Sequence, residues 1–139
     1  MVGLIKYLNT GAVIQDLGIQ GEVYGNGSVG MLAGYSYGLE SISNVHATGT
    51  VSDNGGGYSS IGGLLGYIEL YSTTTISNSS FSGDVSGDSY IGGLIGYAYL
   101  ETSSDVDISN NSTSGTATAS PDVDGPASAG GLIGYFEYS

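Results

Sequence analysis

The chain has 139 residues, with 26 glycines, 12 tyrosines, a single lysine or arginine, no cysteine and a net charge of −12. That much glycine excludes a helical bundle, because each glycine inside a helix costs about 1 kcal/mol relative to alanine, and its placement lacks the every-third-residue order of collagen. The acidity disfavours nucleic acid and anionic membrane surfaces as partners, since both carry the same sign of charge. Without cysteine there is no disulfide framework and no thiol chemistry.

Residues 2–7 read VGLIKY, and the pattern returns as VGMLAGY at 29–35, IGGLLGY at 61–67, IGGLIGY at 91–97 and AGGLIGY at 129–135. The closing tyrosines, Tyr7, Tyr35, Tyr67, Tyr97 and Tyr135, lie 28, 32, 30 and 38 residues apart. A fixed apolar-and-glycine pattern at that period marks a stacked repeat protein. A second pattern fills each interval. It starts at Ile14, Ile42, Ile76 and Ile108, with Asp16, Asn44, Asn78 and Asn110 two residues on. At plus five come Ile19, Ala47, Phe81 and Thr113, then glycine at plus seven (Gly21, Gly49, Gly83, Gly115) and Val23, Val51, Val85 and Ala117 at plus nine.

Each repeat therefore predicts three strands: the glycine-rich motif and the residues after it, the segment leading into Ile-x-Asn, and the segment carrying the plus-five residue, glycine and valine. Side chains alternate across a strand, so Ile76 and Phe81 share a face only if the chain turns near Asn78. Asparagine and aspartate suit such a bend because they tolerate left-handed backbone. The expected fold is all-β, a β-solenoid of four to five coils stacked about 4.8 Å apart. Isoleucines, valines and motif leucines would form interior ladders, and the asparagines an amide ladder at one corner. The chain reads as one array, with repeats at 2–28, 29–60, 61–90 and 91–128 and a closing strand at 129–139. It would be a fragment of a longer protein or a stacking subunit. Segments 52–60, 86–89 and 119–128 are expected as outward loops, and the fourth repeat, with Thr113 and Ala117 at core positions, as the weakest coil. Read as one strand, the motif is apolar on both faces: Gly62, Leu64, Gly66, Ile68 and Leu70 on one, Ile61, Gly63, Leu65 and Tyr67 on the other. Continuous apolarity predicts burial on both sides, and hence a cover over the outer face.

The G-G-L-[LI]-G core at 62–66, 92–96 and 130–134 resembles the GLUG motif, a repeat of large secreted and surface proteins of bacteria. The resemblance covers nearly the whole chain. It departs at Met31 and Ala33 in the second copy and at Lys6 in the first, which suggests an edge coil there. It implies a non-catalytic, extracellular or cell-surface stalk and adhesion module.

Chemistry-bearing groups are sparse. The single histidine, His46, has no partner histidine for a zinc-peptidase motif and reads as a surface residue, and no Gly-x-Ser-x-Gly elbow occurs. No enzyme activity is expected. Paired carboxylates stand at Asp105 and Asp107 and at Asp122 and Asp124. Calcium needs several oxygen ligands on one loop, so Asp122 and Asp124 are weak candidates and no cofactor is expected. The tyrosine row is the candidate binding site: a ring with an apolar face and a polar tip suits protein interfaces and sugars, although a purely structural ladder is the favoured reading. Expected partners are flanking domains, copies of the chain meeting through end coils or the apolar outer face, and a host glycan or protein. Two alternatives are head-to-tail filament assembly and, more weakly, ice binding, which would require regular threonine rows.

Overall fold

In the computed structural model, which describes residues 1–55, 57–121 and 126–139, all regular structure is β-strand. The first coil holds β1 (Ile5–Leu8) and β2 (Val13–Gly25). The second holds β3 (Ser28–Gly30), β4 (Ala33–Tyr37) and β5 (Ser41–Asp53). The third runs through β6 (Ser60–Gly62), β7 (Leu65–Leu70), β8 (Thr74–Ser77) and β9 (Ser80–Gly87). The fourth repeats this as β10 (Tyr90–Gly92), β11 (Ile95–Leu100), β12 (Val106–Ser109) and β13 (Ser112–Ala119), and β14 (Ser128–Gly130) and β15 (Ile133–Tyr138) open a fifth. Every strand pairing is parallel.

The chain is thus a β-solenoid with three sheets. A short sheet is ordered β3-β6-β10-β14, and a tyrosine sheet β1-β4-β7-β11-β15. In the long sheet β2 pairs β5, which pairs β8 and β9, which pair β12 and β13. The short and tyrosine sheets advance one strand beyond β13.

The bend in the long sheet falls where the sequence places it. Among the described residues, Asp16, Asn44, Asn78 and Asn110 are the non-glycine residues with positive φ, at 54°, 54°, 51° and 55°. The left-handed residue resets the alternation, so Ile42, Ala47 and Val51 in one coil, and Ile76, Phe81 and Val85 in the next, are all buried. Complete burial of each large side chain contributes about 1.5–3 kcal/mol. The amide ladder is shorter than expected. Asn44 Nδ2 donates to Asp16 Oδ1 at 2.6 Å, but in the later coils the neighbouring position takes over. Ser79 Oγ accepts from Val45 N at 3.1 Å, and Asn111 accepts from Ser79 N at 2.9 Å and donates to Ile76 O at 2.7 Å.

The glycine-rich motif differs from its expected single strand: it is a corner between two. β6 ends at Gly62 and β7 begins at Leu65. At the turn the N–H groups of Leu64 and Leu65 both donate to Leu94 O, at 2.9 and 3.0 Å, and Leu94 and Ile95 repeat this on Leu132 O. The corner changes the parity, so Ile61, Leu64, Leu65 and Ile68 are all buried in one core. Of the set expected on the outer face, Ile61 and Leu65 are therefore inside. What faces outward is Tyr67 and Glu69.

Side-chain volume is traded across the core. Gly63 lies against the Phe81 ring; a methyl there would stand 2.3 Å from Phe81 Cγ and 2.1 Å from Gly93 O. One coil earlier the same two positions carry Met31 and Ala47, both buried. Met31 departs from glycine because its facing residue is small. A second glycine row, Gly21, Gly49, Gly83 and Gly115, has φ of 156°, 148°, 144° and 115°. A Cβ on Gly49, Gly83 or Gly115 would meet the carbonyl oxygen of the glycine one coil earlier at 1.7, 1.8 and 1.9 Å. The two edges of the long sheet are the open parts of the inner ladders: Ile108, Thr113 and Ala117 in the fourth coil are only partly buried, and so are Ile14, Ile19 and Val23 in the first.

Candidate functional site

The tyrosine sheet brings all five motif tyrosines together. Tyr7, Tyr35, Tyr67, Tyr97 and Tyr135 fall in register, and their rings stack with centroids 5.0, 5.2, 4.8 and 5.2 Å apart. Strand spacing dictates the distance; the parallel register dictates the stacking. Tyr7 and Tyr135 close the column and are exposed, while the three between are half-buried. Tyr90, from the short sheet, leans on Tyr97 edge-on at 5.1 Å and on Tyr135 at 4.8 Å.

Beside this column runs a row that sequence reasoning missed. Two residues after Tyr35, Tyr67, Tyr97 and Tyr135 come Tyr37, Glu69, Tyr99 and Glu137, which pair in that order. Aligning the repeats on the motif tyrosine and reading two places on would have found it. Glu69 accepts from the Tyr35 hydroxyl and from Tyr71 at 2.6 Å; Glu137 accepts from the Tyr97 hydroxyl, and Tyr99 donates to Ser139 Oγ at 2.8 Å. Alternation keeps the two carboxylates about 9.6 Å apart, two strand spacings. Like charges directly opposite one another would repel.

The phenols respond to this setting. Burial, then the Glu69 hydrogen bond and charge, lift Tyr35 well above its ordinary value. Burial first and the Glu69 and Glu137 charges next push Tyr67 up to about 12. The Glu69 hydrogen bond is the main cause of the rise at Tyr71, and burial that at Tyr90. All four stay neutral donors across the physiological range, so the face presents hydroxyls and carboxylates rather than phenolates.

Elsewhere the outward surface is polar and mixed. Thr48 pairs with Ser82 and Thr50 with Asp84, and Asp84 accepts from Thr116 Oγ1 at 2.7 Å. His46 is exposed, with Nδ1 2.8 Å from Ser80 Oγ and Nε2 2.9 Å from Asn44 Oδ1. Asn44 Oδ1 only accepts, so Nε2 carries the proton. Asp105 and Asp107 are exposed on and before β12. Among the described residues no group of three or more histidine, aspartate or glutamate side chains is placed to hold a metal. Asp122 and Asp124 lie outside the described residues.

The turn at Gly63–Leu64, with its shared carbonyl, is the structural core of the repeat, and residues 57–86 match the family model of the GLUG motif. This chain carries the GLUG motif. The matched segment begins just before β6 and ends within β9, so it spans nearly one full coil. A relative is halomucin of Haloquadratum walsbyi, 40% identical over 80 residues, which is 57% of this chain and 1% of halomucin. The chain thus aligns with one hundredth of that protein's length. The source is archaeal, so the bacterial setting suggested by the GLUG resemblance is not what this relative supports. No solved structure matches the chain. A GLUG coil is, on this geometry, a structural repeat.

Proposed function

We propose that the chain is a rigid, non-catalytic segment of a cell-surface protein and that the tyrosine sheet is both its brace and its contact face. The unbroken five-ring column carries this reading. Stacked rings are worth about 0.5–1.5 kcal/mol per pair beyond area burial, and every coil adds one. The stacking also hides the faces of Tyr35, Tyr67 and Tyr97, leaving ring edges, hydroxyls and Glu69 and Glu137 for a partner. That surface suits hydrogen bonding to a host protein or glycan better than stacking on a sugar ring. Halomucin, in which the matched stretch is a minute part, is in keeping with an extracellular segment of a long array.

The test separates brace from contact. Tyr67→Ala is expected to lower unfolding free energy by about 2–3 kcal/mol, and Tyr7→Ala, at the open end, by less than 1 kcal/mol. No effect of Tyr67→Ala on a denaturant melt would refute the brace. A glycan array and host-cell pull-down in which Tyr7→Ala, Tyr135→Ala and Glu137→Gln bind like the parent chain would refute the contact face.

A second reading, self-assembly, is favoured by the half-covered core rows at both ends: Ile5, Ile14, Ile19 and Val23 on the first coil, Leu132 and Ile133 on the last. Stacking β15 on β1 of the next copy would continue the tyrosine column. It would also leave β13 and the next copy's β2 two spacings apart, so filaments need an extra strand there. Light scattering that shows only monomers at high concentration would refute filament growth.

A further inference from the structure

The left-handed corner of the long sheet comes in two kinds. At Asp16 and Asn44 the corner side chains are committed: Asn44 Nδ2 donates to Asp16 Oδ1 at 2.6 Å, and Asn44 Oδ1 accepts from His46 Nε2 at 2.9 Å. At Asn78 the neighbouring positions make the coil-to-coil bonds instead, through Ser79 and Asn111. Among the described residues the Asn78 side chain makes no hydrogen bond, and it is exposed. β5 and β12 pair with β8 on its two sides, and β5 and β13 with β9, so this exposure belongs to an inner corner of the stack.

The sequence changes together with the hydrogen bonding. The committed corners read Asp16-Leu17-Gly18 and Asn44-Val45-His46. The free one reads Asn78-Ser79-Ser80, and Asn110-Asn111-Ser112 repeats it one coil on. Asparagine followed two residues later by serine or threonine is the acceptor signature for N-linked glycans. A folded glycoprotein must hold that amide on its surface with room for a sugar. Asn78 does so, and Ser80 lies on the outward row, 2.8 Å from His46 Nδ1. An overlapping match, Asn111-Ser112-Thr113, does not. Asn111 accepts from Ser79 N and donates to Ile76 O, and Thr113 Oγ1 donates to Gly131 O at 2.5 Å. A sugar on Asn111 Nδ2 would displace the bond to Ile76. A further match, Asn26-Gly27-Ser28, lies in the connection before β3, away from the corner.

We propose that Asn78 is an N-glycan acceptor and that the solenoid carries its sugar on this corner. The donor is a glycan held through its anomeric carbon on a diphosphate, presented by a glycosyltransferase of the export pathway. Asn78 Nδ2 attacks that carbon. The N–C bond forms, the C–O bond to the diphosphate breaks, the diphosphate leaves with the electron pair, and Nδ2 gives up one proton to a base of the transferase. Nothing is oxidised or reduced. The corner suits the product because its hydrogen bonding has been moved to Ser79 and Asn111, so a substituent on Asn78 breaks no bond of the ladder. The glycan would add a bulky, solubilising cover to one edge of the long sheet and leave the tyrosine face bare. This rests on the reading of the chain as a cell-surface segment, since export is what brings a chain to such a transferase.

The experiment releases the protein from intact cells that make it by surface proteolysis and maps its glycopeptides by mass spectrometry. Asn78 is expected to carry a glycan and Asn111 to be bare. Protein that is released from the surface with Asn78 bare overturns the proposal and leaves the surface reading standing; protein that is found only inside the cells overturns both. Variants are then secreted from a glycosylating host behind an added export signal. Ser80→Ala should lose the glycan at Asn78 and Ser80→Thr should keep it. Asn78→Asp should lose it without loss of melting temperature, because Asp16 holds the same left-handed corner at φ 54°. Enzymatic removal of the glycan from the parent protein should leave the circular dichroism spectrum unchanged. Retention of the glycan in Ser80→Ala, or its appearance on Asn111, would overturn the assignment. None of these results would touch the stability effect expected of Tyr67→Ala.

Discussion

The plus-seven glycine row offers one substitution at two sites that differ in a single respect. Gly21 and Gly83 have similar backbone, with φ of 156° and 144°. A methyl on Gly21 meets nothing within 4 Å, whereas on Gly83 it lies 1.8 Å from Gly49 O, where ordinary contact begins at 3.4 Å. Gly21→Ala therefore carries only the strain of a disfavoured φ, about 1–2 kcal/mol. Gly83→Ala carries that strain plus a clash with backbone, which cannot rotate away. Relief requires the third coil to move off the second by well over 1 Å, which stretches the ladder bonds on both sides of the glycine. Three or four such bonds at about 1 kcal/mol each, added to the strain, give a loss of about 4–6 kcal/mol. That is a large part of the roughly 5–15 kcal/mol typical of a folded domain. Urea unfolding followed by far-ultraviolet circular dichroism reads both values. Equal losses at Gly21 and Gly83 would show that glycine is retained for its φ alone and would refute the close-approach argument, including its use at Gly115.

Phe81→Ala should destabilise by about 3–5 kcal/mol, and Gly63→Ala should not be rescued in the double variant, because Gly93 O still blocks the methyl; a thermal melt of the three variants checks this. Ser36→Ala should be neutral or stabilising by up to about 1 kcal/mol, since Ser36 Oγ is buried without a hydrogen-bond partner among the described residues, in register with Ile68; a measured loss would reveal a partner. The raised phenol values make the fold alkali-sensitive. The native state holds its tyrosine protons more tightly than the unfolded chain. The resulting stability is complete below pH 10, the ordinary phenol value, and for Tyr67 is lost as pH rises towards about 12. Titration of the 295 nm absorbance should show a class of tyrosines ionising above pH 10 together with unfolding; a single transition centred at pH 10 would contradict the geometry.

Most of the fold was legible because solenoid rows repeat in sequence at the spacing with which they stack in space. Ile-x-Asn announced the left-handed corner, and the motif tyrosines announced their column. The motif itself was misread for a physical reason. Periodicity cannot distinguish a strand buried on both faces from a corner at which alternation resets, and the Leu64–Leu65 pair is such a reset. The Tyr37, Glu69, Tyr99 and Glu137 row was hidden because its residues differ from coil to coil; only pairing reveals that the alternation separates charges. The Met31–Ala47 exchange for Gly63–Phe81 was equally invisible, since the partners are distant in sequence and neither position is invariant.

The intervals between motif tyrosines vary from 28 to 38 residues, yet each coil climbs by one strand. Much of the difference falls where the long sheet hands over to the short one, between Gly25 and Ser28, Asp53 and Ser60, Gly87 and Tyr90, and Ala119 and Ser128. That seam is where the chain can lengthen without altering the climb. Because successive connections leave from equivalent points on neighbouring coils, inserted sequences emerge in file, roughly one strand spacing apart. A lineage that diversified this protein by insertion would fringe one seam of the prism, and an engineer grafting recognition loops there would inherit a fixed spacing between them.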